Sequence, residues 1–172
     1  MQEKIEKHIL LVGNPNVGKS TLFNAICNTS QKTGNYAGVT VSSHSGTYCY
    51  KDEKVVITDL PGSYSIYPSS EDEAVFSRAL LDKKNYAGVI YIIEALNIKR
   101  GILLLQQILD AGLPMIVVIN QIDQAKRRGL EIDVKKLEQN LGLKIIETNA
   151  KEQIGVDELK EAIINNQFKK TE

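Results

Sequence analysis

Residues 13–20 read Gly13-Asn14-Pro15-Asn16-Val17-Gly18-Lys19-Ser20, which fills G-x-x-x-x-G-K-[ST]. The apolar run Ile9-Leu10-Leu11-Val12 precedes it and the helix-like Thr21-Leu22-Phe23-Asn24-Ala25-Ile26 follows. Strand, glycine loop and helix in that order form the setting in which the motif cradles phosphates. Successive backbone N–H groups and the positive end of the helix hold the phosphate oxygens. In such a loop Lys19 reaches the β- and γ-phosphates, Ser20 ligates Mg²⁺ and Thr21 lies beside them. A nucleoside triphosphate is the implied ligand.

The rest of the chain places the loop in an α/β domain. Val89-Ile90-Tyr91-Ile92-Ile93 and Ile116-Val117-Val118-Ile119 are uniformly apolar, as strands covered on both faces must be. Helix-like segments at 19–27, 71–81, 99–111, 133–140 and 156–168 alternate with strands at 5–12, 46–50, 55–58, 89–93, 115–119 and 144–146. The pattern predicts a mostly parallel six-stranded sheet with one antiparallel edge strand and helices on both faces, its ligand at the carboxyl ends of the strands. Residues 29–43, rich in Gly, Ser, Thr and Asn, read as a long functional loop. Residues 1–168 read as one nucleotide-binding domain, and 169–172 as a tail or boundary.

Composition removes other classes. Lys plus Arg equals Asp plus Glu at 21 each, so no electrostatic footprint points to nucleic acid. Cys27 and Cys49 lack metal-ligand spacing and are expected to be free thiols. No apolar run approaches the roughly 20 residues of a membrane span.

Four further motifs sharpen the nucleotide. Asp59-Leu60-Pro61-Gly62 follows the strand Val55-Val56-Ile57-Thr58 and offers a carboxylate to Mg²⁺ and the Gly62 N–H to a γ-phosphate. Thr40, in the loop Gly34-Asn35-Tyr36-Ala37-Gly38-Val39-Thr40-Val41, offers a hydroxyl to Mg²⁺ when the γ-phosphate is present, as an order–disorder switch requires. Asn120-Gln121-Ile122-Asp123 ends a strand, and Asp123 suits the N1–H and exocyclic amine of guanine, a pattern adenine lacks. Gln121 stands where a lysine is usual and supplies an aliphatic stem without the charge. Thr148-Asn149-Ala150-Lys151 follows the last strand and would bring the Ala150 N–H to guanine O6. Ser69 or Ser70 is placed to cap the helix at 71, with Glu73 near its third position.

In this order the motifs resemble the small GTPases, a P-loop NTPase class with a Ras-like G domain, in the branch that holds the Era-type enzymes. The likeness is closer to the cytosolic G domain of the prokaryotic ferrous-iron transporter B family and runs from about residue 5 to 165. It is carried by residues 13–25, 34–41 and 59–65, by Leu96-Asn97-Ile98-Lys99-Arg100 and by Arg128-Gly129-Leu130-Glu131-Ile132-Asp133. The resemblance implies slow, potassium-stimulated hydrolysis of GTP to GDP, with Asn16 ligating K⁺ beside first-switch carbonyls around Asn35 and Tyr36. It also implies attached helical and membrane domains of an iron transporter, a position at the cytoplasmic face of the membrane, and possible self-association through the switch loops. Departures from the family pattern are Tyr36 where many relatives carry Trp, Gln121 for Met or Lys, and Glu94 for Asp. Two other readings stay open here: an RNA-associated assembly GTPase, and a nucleotide sensor with negligible hydrolysis.

Overall fold

A computed structural model describes residues 6–27, 31–35 and 42–169, with backbone alone for 31–35 and 42–43. Among the described residues seven strands form one sheet: β1 (Glu6–Gly13), β2 (Gln31–Asn35), β3 (Ser42–Tyr50), β4 (Glu53–Asp59), β5 (Gly88–Glu94), β6 (Met115–Asn120) and β7 (Lys144–Thr148). Their order is β2-β3-β4-β1-β5-β6-β7. The strands from β4 to β7 are mutually parallel and β3 runs antiparallel to β4, so the six expected strands are present in the expected sense. Six α-helices of the described residues pack on them: α1 (Lys19–Ile26), α2 (Glu71–Leu81), α3 (Ile98–Asp110), α4 (Ile122–Arg127), α5 (Val134–Leu141) and α6 (Val156–Ile164).

Alternation along the strands builds two cores. Leu10, Val12, Val89, Tyr91, Ile93, Val117 and Ile119 face the side carrying α2, α3, α4 and α5. Ile9, Leu11, Ile90, Ile92, Ile116 and Val118 face α1 and α6. A period of two thus splits each apolar run between the layers, as a sheet covered on both faces demands.

Register then lines up the functional edge. Leu11 lies beside Asp59, Gly13 beside Ile92, Glu94 beside Asn120, and Asn120 beside Thr148. The ends of β4, β1, β6 and β7 therefore deliver Asp59, the glycine loop, Asn120 and Thr148 along one rim.

The structure revises three of the expected segments. Part of the predicted loop, Gln31–Asn35, is an edge strand paired antiparallel with β3 from Gln31↔Gly46 to Asn35↔Ser42. Its stability comes from backbone pairing, so a polar sequence without apolar alternation conceals it. The β3–β4 connection is tighter than the four residues expected: Lys51 and Asp52 alone turn the chain, both with positive φ (46° and 66°), as a type I′ hairpin needs. The last helix stops at Ile164 rather than Phe168. Asn166 turns left-handed (φ 53°), and Lys169 then exchanges both backbone hydrogen bonds with Met115 (2.8 and 3.1 Å).

Helix ends follow sequence closely. Ser70 caps α2 by accepting from Glu73 N (3.2 Å), while the Glu73 carboxylate accepts from Ser69 N (2.6 Å). Asp133 caps α5, accepting from Lys136 N, and Gly142 closes it.

Both cysteines are free thiols. Cys27 is 3% exposed, and burial pushes its thiol up to about 11, whereas Cys49 lies at the surface. With an aromatic disulfide reagent at pH 8, native protein should release one equivalent quickly, lost in Cys49→Ser. The second should appear only at the unfolding rate. Two fast equivalents would contradict the packing around Cys27.

Candidate functional site

Between β1 and α1 the chain turns through Asn14, Pro15, Asn16 and Val17. Asn16, exposed at the bend, has φ 64°, a left-handed conformation that asparagine tolerates better than most residues. Asn14 is buried and donates through Nδ2 to the Arg100 carbonyl of α3 (2.8 Å), tying the loop to that helix. Gly18 enters α1 at φ 86°, and a Cβ there would lie 2.6 Å from Asn120 Nδ2. Both the backbone conformation and the approach of Asn120 require glycine. The first N–H groups of α1 have no side-chain cap, so its positive end is open to an anion. Ser20 and Thr21 stand exposed in that first turn.

Lys19 Nζ donates to the Asp59 carboxylate at the end of β4 and to the Leu60 carbonyl (2.7 Å). Their side chains are only 11% and 10% exposed, so the ion pair is largely screened from water. Beyond it, Leu60 N donates to Leu11 O and Ser63 N to Gly13 O, each at 3.2 Å. Gly62 lies flat on the loop: a Cβ would sit 2.9 Å from the Pro15 backbone. The D-x-x-G segment and the glycine loop are therefore in direct contact. Gly34 and Asn35 end β2, whereas Tyr36, Ala37, Gly38, Val39 and Thr40 lie outside the described residues.

At the other end of the rim, Asn120 is 2% exposed. Its Oδ1 accepts from Thr148 Oγ1 (3.0 Å) and from Ala150 N (3.1 Å). One amide thus joins β6, the exit of β7 and, through Nδ2, the surroundings of Gly18. Gln121 takes a left-handed turn (φ 61°) into α4, and its Nε2 would be 3.9 Å from a Gly18 Cβ, so its amide reaches the end of the glycine loop. Asp123 is half-buried in the first turn of α4. With Gly18, Thr21, Gln124 and Lys151 it lines a groove of about 600 Å³. Asn149 exchanges hydrogen bonds with Ile154 (both 3.0 Å), closing the loop after β7. The Ala150 amide, expected to face a base, is engaged by Asn120 instead.

Sequence reasoning missed the bracing contacts of Asn14 and Asn120, because their partners are remote in the chain. A buried asparagine at a strand end was the available signal for Asn120; nothing local marks the Arg100 carbonyl. Among the described residues there is no group of three or more His, Cys, Asp or Glu side chains placed to hold a metal. Nor is any helix among them long and apolar enough to cross a membrane.

Known proteins resemble this chain in sequence and fold. The Fe(2+) transporter FeoB of Leptospira biflexa is 44% identical over 155 residues, covering 90% of this chain and 22% of that protein. The cytosolic domain of T. maritima FeoB in a GDP form superposes with a TM-score of 0.91 at 34% identity, covering 98% of this chain and 68% of that one. Its GMPPNP form gives 0.90 at 35% identity, covering 96% and 67%. The chain spans about a fifth of the length of the curated relatives it matches. The family profile described as ferrous iron transport protein B matches residues 7–163, and the chain belongs to that family.

Proposed function

We propose that this chain binds GTP and GDP and hydrolyses GTP slowly, regulating ferrous-iron uptake through a membrane part that lies outside it, at the cytoplasmic face. The observation that carries this reading is the contact of Gly18 with Asn120. It makes one continuous site from the Lys19–Asp59 pair to the groove beside Asp123. The GDP and GMPPNP forms of the T. maritima cytosolic domain, and the name Fe(2+) transporter borne by the relatives, support it.

Lys19 trades Asp59 and the Leu60 carbonyl for β- and γ-phosphate oxygens, and the N–H groups of Asn14 and of residues 16–19 cradle the phosphates. Asp59 and Ser20 then present oxygens to Mg²⁺. Two protein oxygens fit an ion that prefers waters and phosphates to an all-protein cage. Thr40 supplies a third oxygen. Asn16, with its amide exposed at the bend, fits the place of a K⁺ ligand together with carbonyls around Asn35. When bound, the two cations offset charge developing on the phosphate oxygens. Gly62 turns its N–H to the γ-phosphate. Ser63 donates its hydroxyl to Ser65 O (2.8 Å), so it is not poised as a base, and backbone groups place the attacking water. A turnover below about 1 s⁻¹ follows from that economy.

Asp123 selects guanine by accepting from its N1–H and exocyclic amine. With the Ala150 amide engaged, guanine O6 falls to donors lining the groove, Asn120 Nδ2 and Lys151. Titration should show GTP and GDP binding roughly 100-fold or more tighter than ATP, as two charge-assisted hydrogen bonds allow. Asp123→Ala should erase most of that margin. ATP binding as tight as GTP would contradict the assignment.

Hydrolysis measured in KCl and again in NaCl tests the second part. The rate should fall several-fold in NaCl, and Asn16→Ala should lose the difference between the salts. Equal wild-type rates would remove the potassium role.

A further inference from the structure

The segment after Gly62 is held at its far end by one side chain that none of the motifs includes. Gln107, in α3, accepts at Oε1 from the Ile66 backbone N–H (2.7 Å) and from the Ser65 hydroxyl (3.1 Å). A backbone N–H can only donate, so the amide atom facing it is oxygen. Ser65 Oγ in turn accepts from Tyr67 N (3.1 Å), and Ser77 of α2 donates its hydroxyl to the Ile66 carbonyl. Both backbone polar groups of Ile66, which is 8% exposed, are therefore taken up by side chains of α3 and α2.

The helix that carries Gln107 is itself firmly seated. Leu104 and Ile108 are fully buried, and the Gly101 carbonyl accepts from the Tyr91 hydroxyl of β5 (2.6 Å). The Arg100 carbonyl accepts from Asn14 of the glycine loop. Gln107 lies seven positions beyond Arg100, about 10 Å along the helix axis. Helix α3 therefore sets a fixed spacing between the phosphate loop and residues 65–66. At the near end the same segment depends on Lys19, whose bond to the Leu60 carbonyl is the one a phosphate competes for.

We propose that Gln107 is a positioning residue for γ-phosphate recognition. By pinning Ser65 and Ile66 to α3 it confines rearrangement to residues 59–64 and keeps Gly62 within reach of the glycine loop. The inference rests on the reading of Gly62 as the γ-phosphate sensor. Without the pin, Ile66 keeps its packing and its carbonyl bond to Ser77, but Ser65 and the Ile66 N–H are released, and ordering them costs entropy each time Gly62 engages. A diphosphate does not call on Gly62, so the cost falls on triphosphate binding alone.

Two substitutions separate this role from general packing. Gln107→Met keeps length and apolar contact but removes the acceptor. Gln107→Glu keeps an acceptor at the same place and so retains both bonds. Affinities for GDP and a non-hydrolysable GTP analogue, with amide exchange of Ile66 and Tyr67 in nucleotide-free protein, give the readout. Q107M should lower triphosphate affinity relative to diphosphate by about tenfold, the range expected for two net hydrogen bonds. It should leave GDP affinity within about twofold and speed exchange at Ile66 and Tyr67. Q107E should restore both measures. Equal losses for the two nucleotides, an unchanged ratio, or a Q107E that behaves like Q107M would overturn the proposal. Unchanged exchange in nucleotide-free Q107M would overturn the pin even where guanine nucleotides bind normally. A wild-type protein that fails to bind guanine nucleotides would instead bring down the parent reading, and this inference with it.

Discussion

Lys19, the first residue of α1, and Asp59, at the carboxyl end of β4, hold each other, and each is nearly hidden from water. Taking two charges out of water costs several kcal/mol per ion, recovered only while a partner of opposite sign stays in place. Neither side chain can be released alone without heavy penalty. Phosphate oxygens are the natural replacement for Asp59 at the lysine, and a divalent cation the natural replacement for Lys19 at the carboxylate. The proposed ligands thus exchange for an existing pair, and charge balance is kept throughout. Because Lys19 also holds the Leu60 carbonyl, that exchange loosens the D-x-x-G segment at its near end. The proposed switching is then a consequence of where the buried pair is attached.

The sheet makes this possible by register. Leu11 beside Asp59 puts the ion pair under the glycine loop, and Asn120 beside Thr148 lets one buried amide gather the two base-side loops. Asn14 ties the same glycine loop to α3, whose Gln107 holds the segment beyond Gly62. The mobile elements of the proposed mechanism are short stretches suspended between braced points.

Legibility in the sequence tracked the range of the forces involved. The glycine loop, the apolar strands and the Ser70 and Asp133 caps are local signals, and the structure carries each of them. The edge strand Gln31–Asn35 was hidden because backbone pairing with β3 needs no apolar pattern. The end of α6 was misread because Phe168 continues the apolar pattern, although Asn166 has already left the helix and the ring packs against Gly88. Contacts between residues 14 and 100 and between 66 and 107 span 86 and 41 positions, beyond any local rule. The bond from the Ala150 amide was out of reach for a related reason: its partner, Asn120, comes from the neighbouring strand.

The exchange of partners at Lys19 and Asp59 is tested most directly by measuring binding of a non-hydrolysable GTP analogue with and without Mg²⁺, in the wild type and in Asp59→Asn. Without the cation, a wild-type protein that binds phosphates leaves the Asp59 carboxylate unpaired beside them. Affinity should then fall steeply on adding a chelator. In Asp59→Asn the lysine is free and the repulsion gone, so binding in chelator should be about tenfold or more tighter than in the wild type, with little gain from Mg²⁺. Wild-type affinity that is the same with and without Mg²⁺, or an Asp59→Asn protein that binds more weakly than wild type in chelator, would contradict the account.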